Sequence, residues 1–343
     1  MLLRKHEPSF SGTGSGNPGL LLSQEHKRVG GLMLSRTAQH LYWIGRYMER
    51  AEFTSRLVEA TIRLSALGDH EASEQAWRSA LAVVGSASAF AASGETFSPA
   101  GVRRYLTLSE DNASAVRSCI SAARDNARAA RTALTVEVWE AINRTWLVIR
   151  DRTKPGGVQA SLNLVDSLKA EIRGFEGALA RMLRSEGSWF MQLGAAIERG
   201  DNTARLLDVK YYLLLPPGQS VGGALDRDQW STLLQIVSAK TAYRHIYSGP
   251  LKPWRVADFL IFRDEMPRSL AASADETVTL LSAFAGRSGR QGPADRIARK
   301  RLDRIEALDI GTIVQNGLHE WLHAYISDNA ALDQAIARQF RFG

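Results

Sequence analysis

Two stretches of this chain place acids and bases where a helix would align them. Residues 41–57 read LYWIGRYMERAEFTSRL and residues 191–207 read MQLGAAIERGDNTARLL. Both fit G-x-x-x-E-R-x-[E/D]-x-T-x-R-L, with Gly45, Glu49, Arg50, Glu52 and Arg56 in the first and Gly194, Glu198, Arg199, Asp201 and Arg205 in the second. At about 100° per residue, Gly45, Glu49, Glu52 and Arg56 share one narrow polar stripe, and the second stretch repeats it. Most of the remaining circumference is apolar or aromatic, including Leu41, Trp43, Ile44, Met48, Phe53 and Leu57. A helix of this kind is buried on most sides.

Glu52–Arg56 and Asp201–Arg205 are acid-to-base pairs at i,i+4 in the favourable order. That leaves Glu49 and Glu198 in need of donors, because a buried carboxylate without a partner neutralises instead. The spacing suggests an exchange, Glu49 with Arg205 and Glu198 with Arg56. Arg50, Thr54, Arg199 and Thr203 fall on another flank and are expected to brace neighbouring helices. Gly45 and Gly194 would admit a second helix or a ligand close to the backbone. Two readings stay open. One is a buried ion-pair network that fixes helix register. The other is a ligand or catalytic site in which Glu49 and Glu198 act as acid or base.

Two further groups have chemistry-bearing spacing. Arg124, Arg128 and Arg131 stand at i, i+4 and i+7 in ARDNARAAR. Three guanidiniums on one face can hold a phosphate or carboxylate, or answer acids of adjacent helices, the Glu stripe among them. The later half has ADETVTLLSAF in their place, so an anion site here would be single. LHEWLHAY carries His319-Glu320-x-x-His323, the spacing that puts two histidines on one helix face around zinc with a glutamate to activate water. Five residues with three fixed are weak evidence. A third ligand would have to come from Asp328 or Asp333 downstream. No metal or other cofactor is expected.

These residues need helices to position them, and the chain reads as helix nearly throughout. Apolar residues recur at three and four, good helix formers dominate, and period-2 runs are missing. Breaks fall near Gly68–Asp69, SGETFSPAG, TKPGG, LPPGQSVGG, SGPLKP and AGRSGRQGP. Ser109, Asp111, Asp226 and Asp264 are candidate helix starts. Residues 1–32 are polar with Gly, Ser and Pro, and are expected to be a disordered extension, with Met33 as the biological start.

The pattern also repeats. Glu198 follows Glu49 by 149 residues, Trp230 follows Trp77 by 153, and Val256 follows Val102 by 154. Three matches in the same order at nearly the same offset indicate two tandem duplicated helical halves, about 33–184 and 185–343. The expected fold is therefore an all-α, multi-helix bundle.

Bulk composition narrows the setting. A chain of 343 residues can bury roughly 75% of its unfolded surface and needs no disulfide or metal to fold. Its single cysteine, Cys119, cannot form an internal disulfide, which fits a reducing cytoplasm. No stretch approaches the roughly 20 apolar residues of a membrane span. Net charge is +7, and between Arg287 and Arg304 seven basic residues face only Asp295 and Asp303. No aromatic residue interrupts that run, so the stacking platform of a single-strand binder is missing and nucleic acid is not the expected partner. A solvated helix face is the simpler reading.

The combination of SRTAQHLYWIGRYMERAE, ARDNARAAR…VWEAIN, WFMQLGAAIERGDNTARLLDVKYYLL and FLIFRDEMPRSL resembles the bacterial alpha-E family, an all-helical domain with a Glu-Arg motif, over about residue 33 to the C-terminus. The resemblance maps the motif onto Glu49, Arg50, Glu198 and Arg199, followed by Arg56 and Arg205. It departs at Phe53, where Asn is frequent, and at Ala195, where arginine is. It implies a cytoplasmic bacterial protein encoded beside a circularly permuted ATP-grasp protein and a transglutaminase-like peptidase. The function this implies is an accessory or scaffold role in a peptide- or amide-bond-forming system. The alternatives are an enzyme acting on the ligase product through the Glu-Arg motif, with Arg124, Arg128 and Arg131 holding an anion, and a zinc metallopeptidase built on His319, Glu320 and His323.

Overall fold

Two long helices form the centre of the molecule, and each carries one copy of the Glu-Arg pattern. In the computed structural model, which describes residues 33–154, 156–212 and 223–343, these are α1 (Ser35–Ser65) and α8 (Glu186–Tyr212). Their mutual packing is the most extensive in the fold. Between them run α2 (His70–Val83), α3 (Ala87–Ala92), α4 (Pro99–Thr107), α5 (Val116–Ala129), α6 (Val136–Ile149) and α7 (Val158–Ala180). After α8 come α9 (Ala224–Ile236), α10 (Lys240–Ile246), α11 (Pro253–Phe262), α12 (Leu270–Ser288), α13 (Pro293–Glu306), α14 (Ile310–Asn316) and α15 (Leu318–Gln339). No strand occurs among the described residues, so the all-α expectation is met.

Local chemistry sets the helix ends. Asp69, Ser98, Thr135, Ser269 and Asp309 each accept a backbone N–H in the first turn that follows them, which satisfies donors that would otherwise be orphaned. Pro99, Pro253 and Pro293 stand at first helical positions, where the missing N–H is harmless. The breaks at Gly68–Asp69, SGETFSPAG, TKPGG, SGPLKP and AGRSGRQGP all separate helices. LPPGQSVGG lies almost wholly outside the described residues, as do residues 1–32.

Three expected helix starts are corrected. Ser109 and Asp111 precede α5 without capping it, and Asp264 falls in the turn between α11 and α12. In the first case the chain is held by Asn112 instead. Its side chain accepts from Ser114 N–H and donates to the Tyr105 carbonyl, which holds residues 108–115 out of the helix before α5 begins. Asp226 does stand in the first turn of α9.

α1 is covered by α2, α5, α7, α8 and α9, and α8 by α1, α2, α12 and α15. Leu41, Ile44, Met48, Phe53 and Leu57 are all buried, as the apolar circumference of the pattern requires. The main core continues from Phe53, Leu57 and Val58 through Trp77, Leu106, Trp230, Leu234 and Phe259.

Candidate functional site

The backbones of α1 and α8 touch at their glycines. A methyl group added to Gly45 would overlap the Met191 carbonyl oxygen, and one added to Gly194 would overlap that of Tyr42. Both positions therefore admit only glycine at this separation. The glycines serve a helix crossing.

One turn from the crossing lie the two motif glutamates, both buried. Each reaches the arginine of the opposite motif. Arg50 Nε donates to Glu198 Oε1 at 2.6 Å and Arg50 Nη2 to Oε2 at 2.9 Å, a two-pronged contact. Arg46 Nε adds a third bond to Glu198 Oε2 at 2.8 Å and ties Nη1 to Asp333 Oδ1 at 2.8 Å. In return Arg199 Nη2 donates to Glu49 Oε2 at 3.0 Å, and its Nη1 to Glu276 Oε2 at 2.8 Å. Arg268 approaches Glu49 Oε1 at 3.4 Å and bonds Glu52 as well.

The exchange expected from sequence thus occurs between different residues. Arg50 and Arg199, not Arg56 and Arg205, are the cross-helix partners. Arg56 bonds Glu52 at 2.6 Å and Arg205 bonds Asp201 at 2.7 Å, both within one helix. The reason is geometric. Arg56 and Arg205 stand eleven residues beyond the crossing glycines, about three helical turns, whereas Arg50 and Arg199 are next to it. Thr203 does brace a neighbour: its hydroxyl donates to the Arg268 carbonyl at 2.9 Å and fixes that arginine at the start of α12.

These contacts decide the charge states. Burial alone would raise the Glu198 carboxyl, but Arg50 and Arg46 outweigh it and hold it down at about 2. Burial also opposes ionisation of Glu49, and Arg199 with Arg268 overcomes it, leaving that carboxyl below its ordinary value. Two further acids beside Glu49 behave oppositely. Burial, then Glu52 and Glu49, raises Glu176, and burial with Glu49 raises Glu276 despite Arg199.

The surroundings of the two glutamates differ. The cluster at Glu198 has two carboxylates, Glu198 and Asp333, against Arg46 and Arg50. The cluster at Glu49 has four, Glu49, Glu52, Glu176 and Glu276, against Arg56, Arg199 and Arg268. A cavity of about 260 Å³ opens beside Glu49, with Arg199, Glu176 and Glu276 also in its walls.

Arg124, Arg128 and Arg131 do not answer the Glu stripe. Arg124 stacks on Trp146 of α6 with its guanidinium 3.9 Å from the ring centre and bonds Asn143 at 2.9 Å. Arg131 lies over Trp139 at 5.3 Å, in a short turn after α5 has ended, and Arg128 is exposed with Asp125 at 3.8 Å. Tryptophan faces, rather than acids, are the main partners of Arg124 and Arg131.

The His-Glu-x-x-His segment opens α15. His319 Nδ1 is 2.5 Å from Asp208 Oδ1 and His323 Nε2 is 3.3 Å from Asp208 Oδ2. The third residue of this group is thus Asp208, on α8, and not Asp328 or Asp333. Those two are engaged by Arg304 and Arg46. A two-histidine, one-carboxylate group of this kind can hold a divalent cation. Glu320 folds back toward Gly317 at the start of its own helix.

Sequence reasoning missed Arg46, Arg268, Glu176 and Glu276 as members of the network. Arg46 had a legible signal, one turn before Arg50. Glu176 comes from α7, Glu276 from α12 and Arg268 from the turn that leads into α12.

Cys119 is buried, and burial pushes its thiol up to about 12, so it is an inert core residue.

Comparison with known families gives one match. The family described as "Alpha-E: A predicted alpha-helical domain with a conserved ER motif" matches residues 33–340. No curated protein and no solved structure matches the chain.

Proposed function

The chain belongs to the Alpha-E family, and on that premise we propose that it is a non-catalytic scaffold in a peptide- or amide-bond-forming system. It works there beside a circularly permuted ATP-grasp ligase and a transglutaminase-like peptidase, in the cytoplasm. One observation carries the non-catalytic part. Each motif glutamate is already held by two guanidiniums, and Glu198 is kept near 2. A general acid or base works best with a pKa near the operating pH. Glu198 is far from that, and its lone pairs are spent on Arg46 and Arg50. The motif is suited to fixing the α1–α8 crossing. No described helix is long and apolar enough to cross a membrane, which is compatible with this setting.

We also read the crossing as the seam of an internal duplication. The 149-residue spacing of the motifs and the reciprocal glycine and Glu-Arg contacts support that reading.

The test is co-purification with the neighbour-encoded ligase, together with peptide turnover by the isolated chain. A stable complex and no turnover are expected. Turnover that disappears in a folded Glu198→Gln variant would overturn the scaffold in favour of the enzyme reading.

The meeting of Asp208, His319 and His323 favours a second reading, a metal-dependent hydrolase. Stoichiometric zinc in protein purified without chelators, with peptide hydrolysis lost in Glu320→Gln, is the result that reading needs.

A further inference from the structure

Arg301 of α13 is a buried cation without an acid. It is 2% exposed. Among the described residues its hydrogen bond runs from Nη1 to the side-chain oxygen of Asn329, while its Nε is buried with no partner. Asn329 is fixed in that role, because its amide nitrogen donates to the Ile197 carbonyl at 3.0 Å. Tyr325 adds a ring face, 5.4 Å from the guanidinium centre. A neutral amide oxygen and a ring do not replace a carboxylate, and arginine cannot relieve its burial by losing the proton. The arginines of the α1–α8 crossing show the usual solution: Arg46, Arg50, Arg199 and Arg268 each hold a carboxylate.

Arg301 stands in the wall of a cavity of about 350 Å³ between α13 and α15. Ile305, Leu308, Trp321 and Tyr325 give that cavity an apolar lining, with the Trp321 and Tyr325 rings near parallel and their centres 6.0 Å apart. Two other charged groups reach it, Arg304 and Asp328, and they pair with each other at the more exposed side. Arg301 is therefore the charge that the cavity leaves without an opposite.

We propose that this cavity binds a carboxylate carried on a short apolar body, with Arg301 as its counter-ion. The carboxylate takes guanidinium donors that the protein leaves unpaired, and the apolar body lies against Trp321 and Leu308. A planar guanidinium meets a carboxylate with two parallel bonds, and apolar walls strengthen that attraction. The site uses none of the Glu-Arg motif residues and requires neither ligase nor peptidase, so it is independent of the scaffold reading.

The experiment titrates the full chain by calorimetry with phenylbutyrate and with N-acetylphenylalanine. Phenylbutyramide, neutral and of like shape, is the control. One-to-one binding of a carboxylate, at least tenfold tighter than the amide, is expected. Tighter binding of phenylbutyrate assigns the site to a free acid, and tighter binding of acetylphenylalanine to the C-terminus of a peptide. Arg301→Met removes the charge, keeps an unbranched stem and is expected to abolish binding. Ala324 lines the same cavity at an exposed position of α15. Ala324→Trp is expected to fill the mouth and abolish binding with the fold intact, which keeps the test decisive should Arg301→Met fail to fold. No carboxylate binding at millimolar concentration, amide binding as tight as the acid, or binding unchanged in a folded Arg301→Met or Ala324→Trp variant overturns the proposal.

Discussion

At the scale of residues, the Glu-Arg motif gives the molecule an acid-sensitive lock. Glu198 titrates near 2 in the folded protein against an ordinary 4.5. A carboxyl whose folded value is depressed adds stability above its unfolded value and loses it as pH falls through the folded one. Glu198 therefore contributes fully above about 4.5 and progressively less down to about 2, with Glu49 acting in the same direction. Glu176 and Glu276 act with the opposite sign, because raised carboxyls favour the folded state when protonated. Urea unfolding of the parent between pH 5 and 3 should show falling stability. In Glu198→Gln that slope should be shallower, and an identical slope would mean that Glu198 is not held as described. The i,i+4 pairs Glu52–Arg56 and Asp201–Arg205 were legible in sequence because both partners lie on one helix. Arg268, Glu176 and Glu276 were not. Their meeting with Glu49 depends on where α7, α8 and α12 pack, which no local spacing encodes.

At the scale of elements, the α1–α8 crossing is what the glycines protect. Gly45→Ala places a carbon against the Met191 carbonyl, and backbone cannot yield as a flexible side chain would. Overpacking of this kind typically costs about 1–3 kcal/mol or more. Gly45→Ala and Gly194→Ala should each lower the melting temperature, whereas Gly177→Ala, at a position on α7 with no neighbour within reach, should leave it unchanged or slightly raised. Equal effects at all three would contradict a tight crossing. Five of the six breaks could be read from Gly, Pro and capping residues, which act locally, whereas junctions such as those between α5 and α6 or α7 and α8 were not read from the sequence. The start of α5 could not, because Asn112 competes with a helix cap by bonding its own backbone neighbours. Arg124 and Arg131 misled for a related reason. Their helical spacing was real up to the end of α5, but tryptophans of α6 were the partners.

At the scale of the whole molecule, the basic run that the sequence shows is not all free surface. The positive run from Arg287 to Arg304 is partly paired: Arg301 is buried on Asn329, and at the surface Arg304 meets Asp328 and Arg287 faces Glu186. Net charge therefore overstates the free basic surface. If fixing this crossing is the purpose of the motif, stability should report it before any activity does. The most direct measurement is thermal unfolding of Glu198→Gln and Glu49→Gln beside the parent. Breaking a buried pair by removing one partner typically costs roughly 3–5 kcal/mol. Glu198→Gln should approach that loss, since Arg46 and Arg50 would keep only Asp333 between them among the ion pairs described. Glu49→Gln should lose less, because Arg199 and Arg268 retain Glu276, Glu52 and Glu176. Unchanged or raised melting temperatures in both variants would contradict the lock and make the glutamates a place where function, not folding, keeps the charge.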